Sequence, residues 1–251
     1  MSPVTISLIV CACVFGGALL GMFLRRILPE HHLSGDSKNT VNLGMGLIGT
    51  MSGIALGLLI ASAAGKYDMQ KNELTEMSAK FVLVDRILAH YGPEAKESRD
   101  LLRTSLVRMV DQIWPKDHSH GTHLEPTAAG GEYAYEEIQR LSPQNDAQRA
   151  FKAQALSVAT GIGQTRWLMY EQGDVPFPRP LLVVVVFWLT IVFISFGLYA
   201  PCNPTVVVVL FLCALSVSGA IFLILELYSP FEGLLQISSA PIRDAVEQLG
   251  K

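Results

Sequence analysis

Four stretches of the chain run for the length of a membrane-spanning helix without a charged residue: 4–24, 41–65, 181–199 and 205–225. About 20 apolar residues at ~1.5 Å each cross a hydrocarbon layer of ~30 Å, so the pattern predicts four transmembrane helices. After Gly65 the pattern changes. In "KYDMQKNELTEMSAKFVLVDRILAHYG", Leu74, Met77, Phe81, Val84 and Leu88 recur at spacings of three and four, an apolar stripe on a polar rod. No breaker other than Gly65 separates this rod from the second span, so the two are expected to form one long helix leaving the bilayer. Gly92 suits a helix C-cap and Pro93 the first turn of the next helix. That helix, within 93–114, keeps Leu102, Leu106, Met109 and Ile113 on one face.

Residues 115–131 have the Pro, Gly and polar content of a loop. A further helical segment is expected from near Glu132, interrupted at "LSPQ", where Ser142 can cap and Pro143 restart it, and continuing to about Gln172. The prolines of "GDVPFPRP" form a stiff lead into the third span. In the tail, "SSAPIRDAVEQL" offers Ser239 as a cap and Pro241 early in a short amphipathic helix suited to the membrane surface or to clasping a neighbour. The predicted fold is therefore all-α, a polytopic membrane protein with four transmembrane helices and a helical extramembrane domain between spans two and three. Its divisions are 1–65 (spans one and two), 66–180 (water-facing helices), 181–227 (spans three and four) and 228–251 (amphipathic tail).

Composition agrees. The chain is 50% hydrophobic and 16% charged, well below the roughly 25% charge of an average soluble protein. Most of that charge lies in 66–180, with 14 Lys and Arg against 16 Asp and Glu. The first stretch reads as a retained anchor rather than a signal peptide, because no Lys or Arg precedes it and Arg25 and Arg26 close it. Cys11, Cys13, Cys202 and Cys213 lie in or beside the spans and form neither a disulfide framework nor a paired metal motif. A net charge of −3 supplies no basic field for nucleic acid.

Span two carries the first unusual feature. Gly49, Gly53, Gly57, Ala61 and Gly65 fall at every fourth position, and Asn42 and Gly46 extend the same face. Each glycine weakens a soluble helix by on the order of 1 kcal/mol relative to alanine. Between helices in lipid, small residues instead allow close backbone approach. Two readings follow: packing within one protomer, or equivalent faces of several subunits around an axis, with Asn42, Gly46, Gly49, Gly53, Gly57 and Ala61 lining or adjoining a pore.

Glu226 is the second. It follows 21 uncharged residues in "LILELYSPFEGLL", where an ionised carboxylate needs the interface or a partner. It reads either as a boundary residue reaching the headgroups, beside an interfacial Tyr228, or as an ion-attracting group at a mouth or gate, with the apolar Phe231 nearby in sequence. His118, His120 and His123 with Asp117 and Glu125 are ligand types that a divalent ion takes, but in a loop of this composition they read as solvated, and no metal or other cofactor is assigned. A GxSxG elbow, a P-loop and a helical HExxH are all absent from the sequence, so no enzyme is expected.

The blocks "LILELYSPFEGLLQISSAPIRD" and "GLLIASAAGKYDMQKNELTEMSAKFVLVDRILAHYGPEAKESRDLLR" resemble a bacterial family of bestrophin-like membrane proteins of unassigned function. That resemblance implies kinship with bestrophins, pentameric anion channels with four spans and a helical cytosolic region between the second and third. Span two here is glycine- and alanine-rich where bestrophins narrow their pore with bulky apolar and aromatic residues, and no acidic calcium clasp stands in the sequence. The expected function is an oligomeric, channel-like protein of the bacterial inner membrane, passing ions (anions by resemblance) along an axis near helix two. The alternative is a non-conducting scaffold or sensor that binds a protein through its helical domain. Basic residues stand near helix ends on both sides, Arg25, Arg26 and Lys38 against Lys66, Lys71, Arg166, Arg179 and Arg243, so charge does not orient the chain. The resemblance implies a cytoplasmic helical domain.

Overall fold

The structure, a computed structural model, describes residues 2–29, 35–114, 130–173, 177–231 and 233–251. Every regular element among them is helical. Four helices have the length and apolar content to cross a membrane, α1 (Pro3–Ile27), α2 (Gly35–Tyr91), α6 (Arg179–Tyr199) and α7 (Pro204–Leu227). The chain divides into two compact units, Met1–Lys66 with Phe177–Tyr228, and Tyr67–Pro176 with Ser229–Lys251.

In the first unit, α1 starts on the Ser2 hydroxyl, which accepts a hydrogen bond from the Thr5 amide at 3.3 Å, and on Pro3 in its first turn. Its crossing with α6 is built on glycine. A Cβ placed on Gly21 would lie 2.1 Å from the Ile194 carbonyl oxygen, and one on Gly197 would lie 2.0 Å from that of Ala18. Gly17 is nearly as tight, 3.0 Å from the Thr190 carbonyl oxygen. The two backbones therefore touch, the small-residue solution to helix association in lipid. Arg25 Nη1 donates to the carbonyl of Ala200, the residue capping α6, and so places a cation at that helix's negative end. Against α7, α1 accepts a hydrogen bond at the Ser7 carbonyl from Ser218 Oγ, 2.5 Å away, and sets Phe15 edge-on to Phe211 at 5.3 Å.

Helix α2 runs unbroken for 57 residues through Gly65. It stops at Tyr91, because Gly92 adopts φ 128° and the Gln148 side-chain amide donates to the Tyr91 carbonyl at 3.0 Å. Pro93 opens a single 3-10 turn, Pro93–Ala95, which leads directly into α3 (Lys96–Ile113).

The second unit packs the lower part of α2 with α3, α4 (Gly130–Arg140), α5 (Asp146–Gly173) and α8 (Ala240–Gln248). Both predicted stripes are its core: Leu74, Met77, Phe81, Val84 and Leu88 from α2, and Leu102, Leu106, Met109 and Ile113 from α3, are all buried. The break after α4 falls where expected, but Asn145 restarts the chain rather than Ser142 and Pro143. Its Oδ1 accepts from the Gln148 amide at 2.8 Å, and α5 begins at Asp146. Lys152 Nζ donates to the Gln139 and Leu141 carbonyls at 2.7 and 2.8 Å, covering the C-terminal end of α4.

The tail differs from expectation in two ways. Ser239 precedes α8, but its side chain makes no capping bond; Ser238 Oγ accepts from the Ala240 amide instead, at 3.2 Å. Nor does the apolar face of α8 lie on a membrane surface, since Ile242, Ala245 and Leu249 are buried in the core of the second unit. Trp114 pins the approach to α8, donating from Nε1 to the Ile237 carbonyl at 3.1 Å.

Candidate functional site

Among the described residues, nothing in the protomer covers the glycines on the small-residue face of α2. A Cβ built on Gly46, Gly49, Gly53, Gly57 or Gly65 meets nothing within 4 Å. Asn42 and Ala61, on the same face, are exposed. Only 11% of the most apolar window of α2 is buried, against 39%, 33% and 28% for α1, α6 and α7, so α2 is the span least covered by its own chain. Among the described residues, then, no helix of the protomer packs on these glycines. The close glycine packing occurs at Gly17, Gly21 and Gly197 instead. Gly17-x-x-x-Gly21 was the available sequence signal for it, a small-xxx-small pair in span one.

The opposite side of α2 is the one that packs. Leu59 and Ala63 are buried with Val185 of α6 and Ile224 of α7. Adjoining the open glycine line, Leu43, Leu47, Ile54 and Leu58 are exposed, and on the same helix beyond Lys66 so are Met69 and Leu83. Apolar side chains facing acyl chains need no further partner. Exposed Met and Leu on a polar rod are less ordinary, although single ones are common on soluble surfaces.

Glu226 sits near the end of α7 and is 3% exposed. It is thus not a boundary residue reaching out to headgroups, but a carboxylate enclosed by protein, which is how intramembrane acids are normally held. Close to it in sequence, Tyr228 closes a small cluster. Its hydroxyl lies 3.3 Å from Ser62 Oγ of α2, its ring meets Phe177 edge-on at 4.9 Å, and Lys66 Nζ stands 5.2 Å from the ring centroid, within cation–π range. Phe231 belongs to the second unit, where its ring meets Trp114 edge-on at 6.0 Å.

Another feature escaped the sequence. Asp85, on the buried side of α2, is 1% exposed, and Arg99 of α3 grips it with two of its three guanidinium nitrogens, Nε to Oδ1 at 2.7 Å and Nη2 to Oδ2 at 2.9 Å. The Gly250 amide adds a third donor at 3.3 Å, and the hydrogen bond to Asp85 holds the Arg99 guanidinium above its ordinary range. His118, His120, His123, Asp117 and Glu125 lie outside the described residues.

These features define a four-span, all-helical membrane protein with a helical unit inserted between spans two and three. The chain matches the Bestrophin-like domain over residues 12–242, and it belongs to the Bestrophin-like family. Among solved structures it is similar to a bacterial bestrophin homolog from Klebsiella pneumoniae carrying a tryptophan-to-alanine change, at 13% identity and TM-score 0.72, covering 99% of this chain and 97% of that one. A leucine-to-threonine variant of the Klebsiella homolog matches at 14% identity and TM-score 0.65, covering 94% and 97%. A structure described as a membrane protein with a proline-to-alanine change matches at 14% identity and TM-score 0.64, covering 95% and 99%. At these identities the likeness establishes the fold. No significant match is found among curated protein sequences.

Proposed function

We propose that this chain assembles as a homo-oligomer around an axis that α2 lines or adjoins, and that ions pass along that axis. One observation carries the reading: five glycines along span two face open space, where a Cβ would meet nothing within 4 Å. A helix that gives up side-chain packing along one line gains little from lipid, whereas at an axis the missing side chains leave width. Adjoining exposed apolar residues supply a surface for a neighbouring copy. By family resemblance the ion is an anion, the assembly a pentamer and the helical unit cytoplasmic, in a bacterial inner membrane. Glu226 then stands near one mouth, and Phe231, in the second unit, is a separate candidate gate residue.

Ion flux in liposomes tests this. Purified protein should release a trapped anion faster than empty vesicles, and Gly53→Leu, which adds four carbons to the proposed lining, should reduce that release at least tenfold while the oligomer stays intact. Absence of flux for every common anion and cation, from an intact oligomer, would favour the non-conducting scaffold instead.

A further inference from the structure

In the second unit a polar seam runs between α2 and α5, and it contains more buried oxygen than its own donors satisfy. Lys80 Nζ bonds Thr165 Oγ1 at 3.2 Å at one end, and Gln172 Nε2 donates to Glu73 Oε1 at 3.1 Å at the other. At the second contact two acceptors are buried without a hydrogen-bond donor, Glu73 Oε2 and Gln172 Oε1, and so is Gln70 Oε1 one helical turn earlier on α2. Gln70 lies three residues before Glu73 in α2, so the two side chains share a helix face, with Cβ atoms ~5–6 Å apart. Gln70 is itself 1% exposed.

A buried acceptor left unsatisfied is destabilising, so each of the three calls for a donor. Among the described residues, the side chains acting on Glu73 are the Gln172 amide and a second carboxylate, Glu76. Glu76 is itself engaged by Lys80 at 2.8 Å. Burial pushes the Glu73 carboxyl above the usual carboxylate range, with the Gln172 hydrogen bond opposing it, so the charged form is under-compensated. One carboxylate oxygen and two amide oxygens, with no nitrogen or sulfur, form a hard donor set.

We propose that Gln70, Glu73 and Gln172 bind a hard cation on the α2–α5 seam, completed by water. The set carries a single negative charge, which balances a monovalent ion such as Na⁺; Ca²⁺ accepts the same oxygen donors and is the other arm of the test. The site involves neither the glycine face nor Glu226 and stands whether or not the assembly conducts.

Thermal unfolding of the purified full chain in detergent, compared at equal ionic strength in choline chloride, NaCl and CaCl₂, tests it. At a hundredfold excess over Kd, one of the two metal salts should raise Tm by roughly 5–10 °C over choline. The near-isosteric Glu73→Gln should abolish that difference, and Gln70→Leu should weaken cation binding at least tenfold in a titration isotherm. Gln172→Glu adds a second charge and should shift preference toward Ca²⁺. Equal Tm in all three salts, meaning that water alone fills the seam, would overturn the proposal, as would a cation-specific rise that persists in Glu73→Gln. If Glu73→Gln fails to fold, the isotherm of the unaltered chain decides, with one cation per chain expected and none contradicting.

Discussion

Gly21→Leu or Gly197→Val should prevent stable accumulation of the protein, or lower its stability by about 3 kcal/mol, the upper end of overpacking costs. The obstacle is backbone. A Cβ on Gly21 would lie 2.1 Å from the Ile194 carbonyl oxygen and 2.8 Å from the Leu198 nitrogen, and one on Gly197 would lie 2.0 Å from the Ala18 carbonyl oxygen. No side-chain rotation relieves these contacts, so α1 and α6 must separate and lose the close approach that holds them. Thermal unfolding in detergent with a tryptophan or circular-dichroism readout measures the loss. The contrast with Gly53 makes the prediction specific: Gly53→Ala meets open space within the protomer and should leave Tm unchanged or raise it, because alanine favours helix by about 1 kcal/mol over glycine. Equal effects at Gly21 and Gly53 would mean that the α1–α6 crossing is not the tight one.

Asp85→Ala is the second large effect, with an expected loss of about 3–5 kcal/mol, the usual result of leaving one partner of a buried ion pair without the other. It strands the Arg99 guanidinium, with its side chain 19% exposed, and removes the acceptor of the Gly250 amide, so both the α2–α3 hairpin and the chain's end lose their anchor. Limited proteolysis of the variant should release the C-terminal segment before the rest of the second unit. The double change Asp85→Leu with Arg99→Leu should recover part of the stability, since well-packed apolar pairs often replace buried ion pairs at little cost. A double variant no more stable than Asp85→Ala would show that the pair also fixes local geometry that leucines cannot reproduce.

Much of the architecture was legible because its signals are local. An uncharged run of about 20 residues has few alternatives to a membrane span, and the Leu74–Leu88 and Leu102–Ile113 stripes follow directly from helical period. Asn145, and not Pro143, restarts α5, because a side-chain oxygen aimed at the Gln148 amide stabilises that start more directly than a ring that only tolerates one. The tail was harder. An amphipathic segment of nine residues suits a bilayer surface and a protein core equally, and what joins it to the core is tertiary: Ile242, Ala245 and Leu249 are buried there, Trp114 donates to the Ile237 carbonyl, and the Gly250 amide donates to Asp85.

The candidate site was partly legible. Four glycines and an alanine at every fourth position identified the distinctive face of span two, but spacing alone does not say whether a neighbour covers it; among the described residues, nothing lies within 4 Å of a Cβ built on those glycines. Glu226 was conspicuous in sequence, yet its enclosure depends on neighbours brought together by the fold. The Asp85–Arg99 pair and the oxygen-rich seam left no sequence signal, because charged and amide residues on a polar rod look the same whether they face water or another helix.

Native mass in mild detergent decides whether copies of α2 surround an axis, since such an axis requires more than one chain. The chain has a mass of 27.4 kDa, and the account predicts one dominant closed assembly at an integer multiple of it, fivefold by family resemblance. A stable, folded species at the mass of a single chain, across detergents and concentrations, would contradict it.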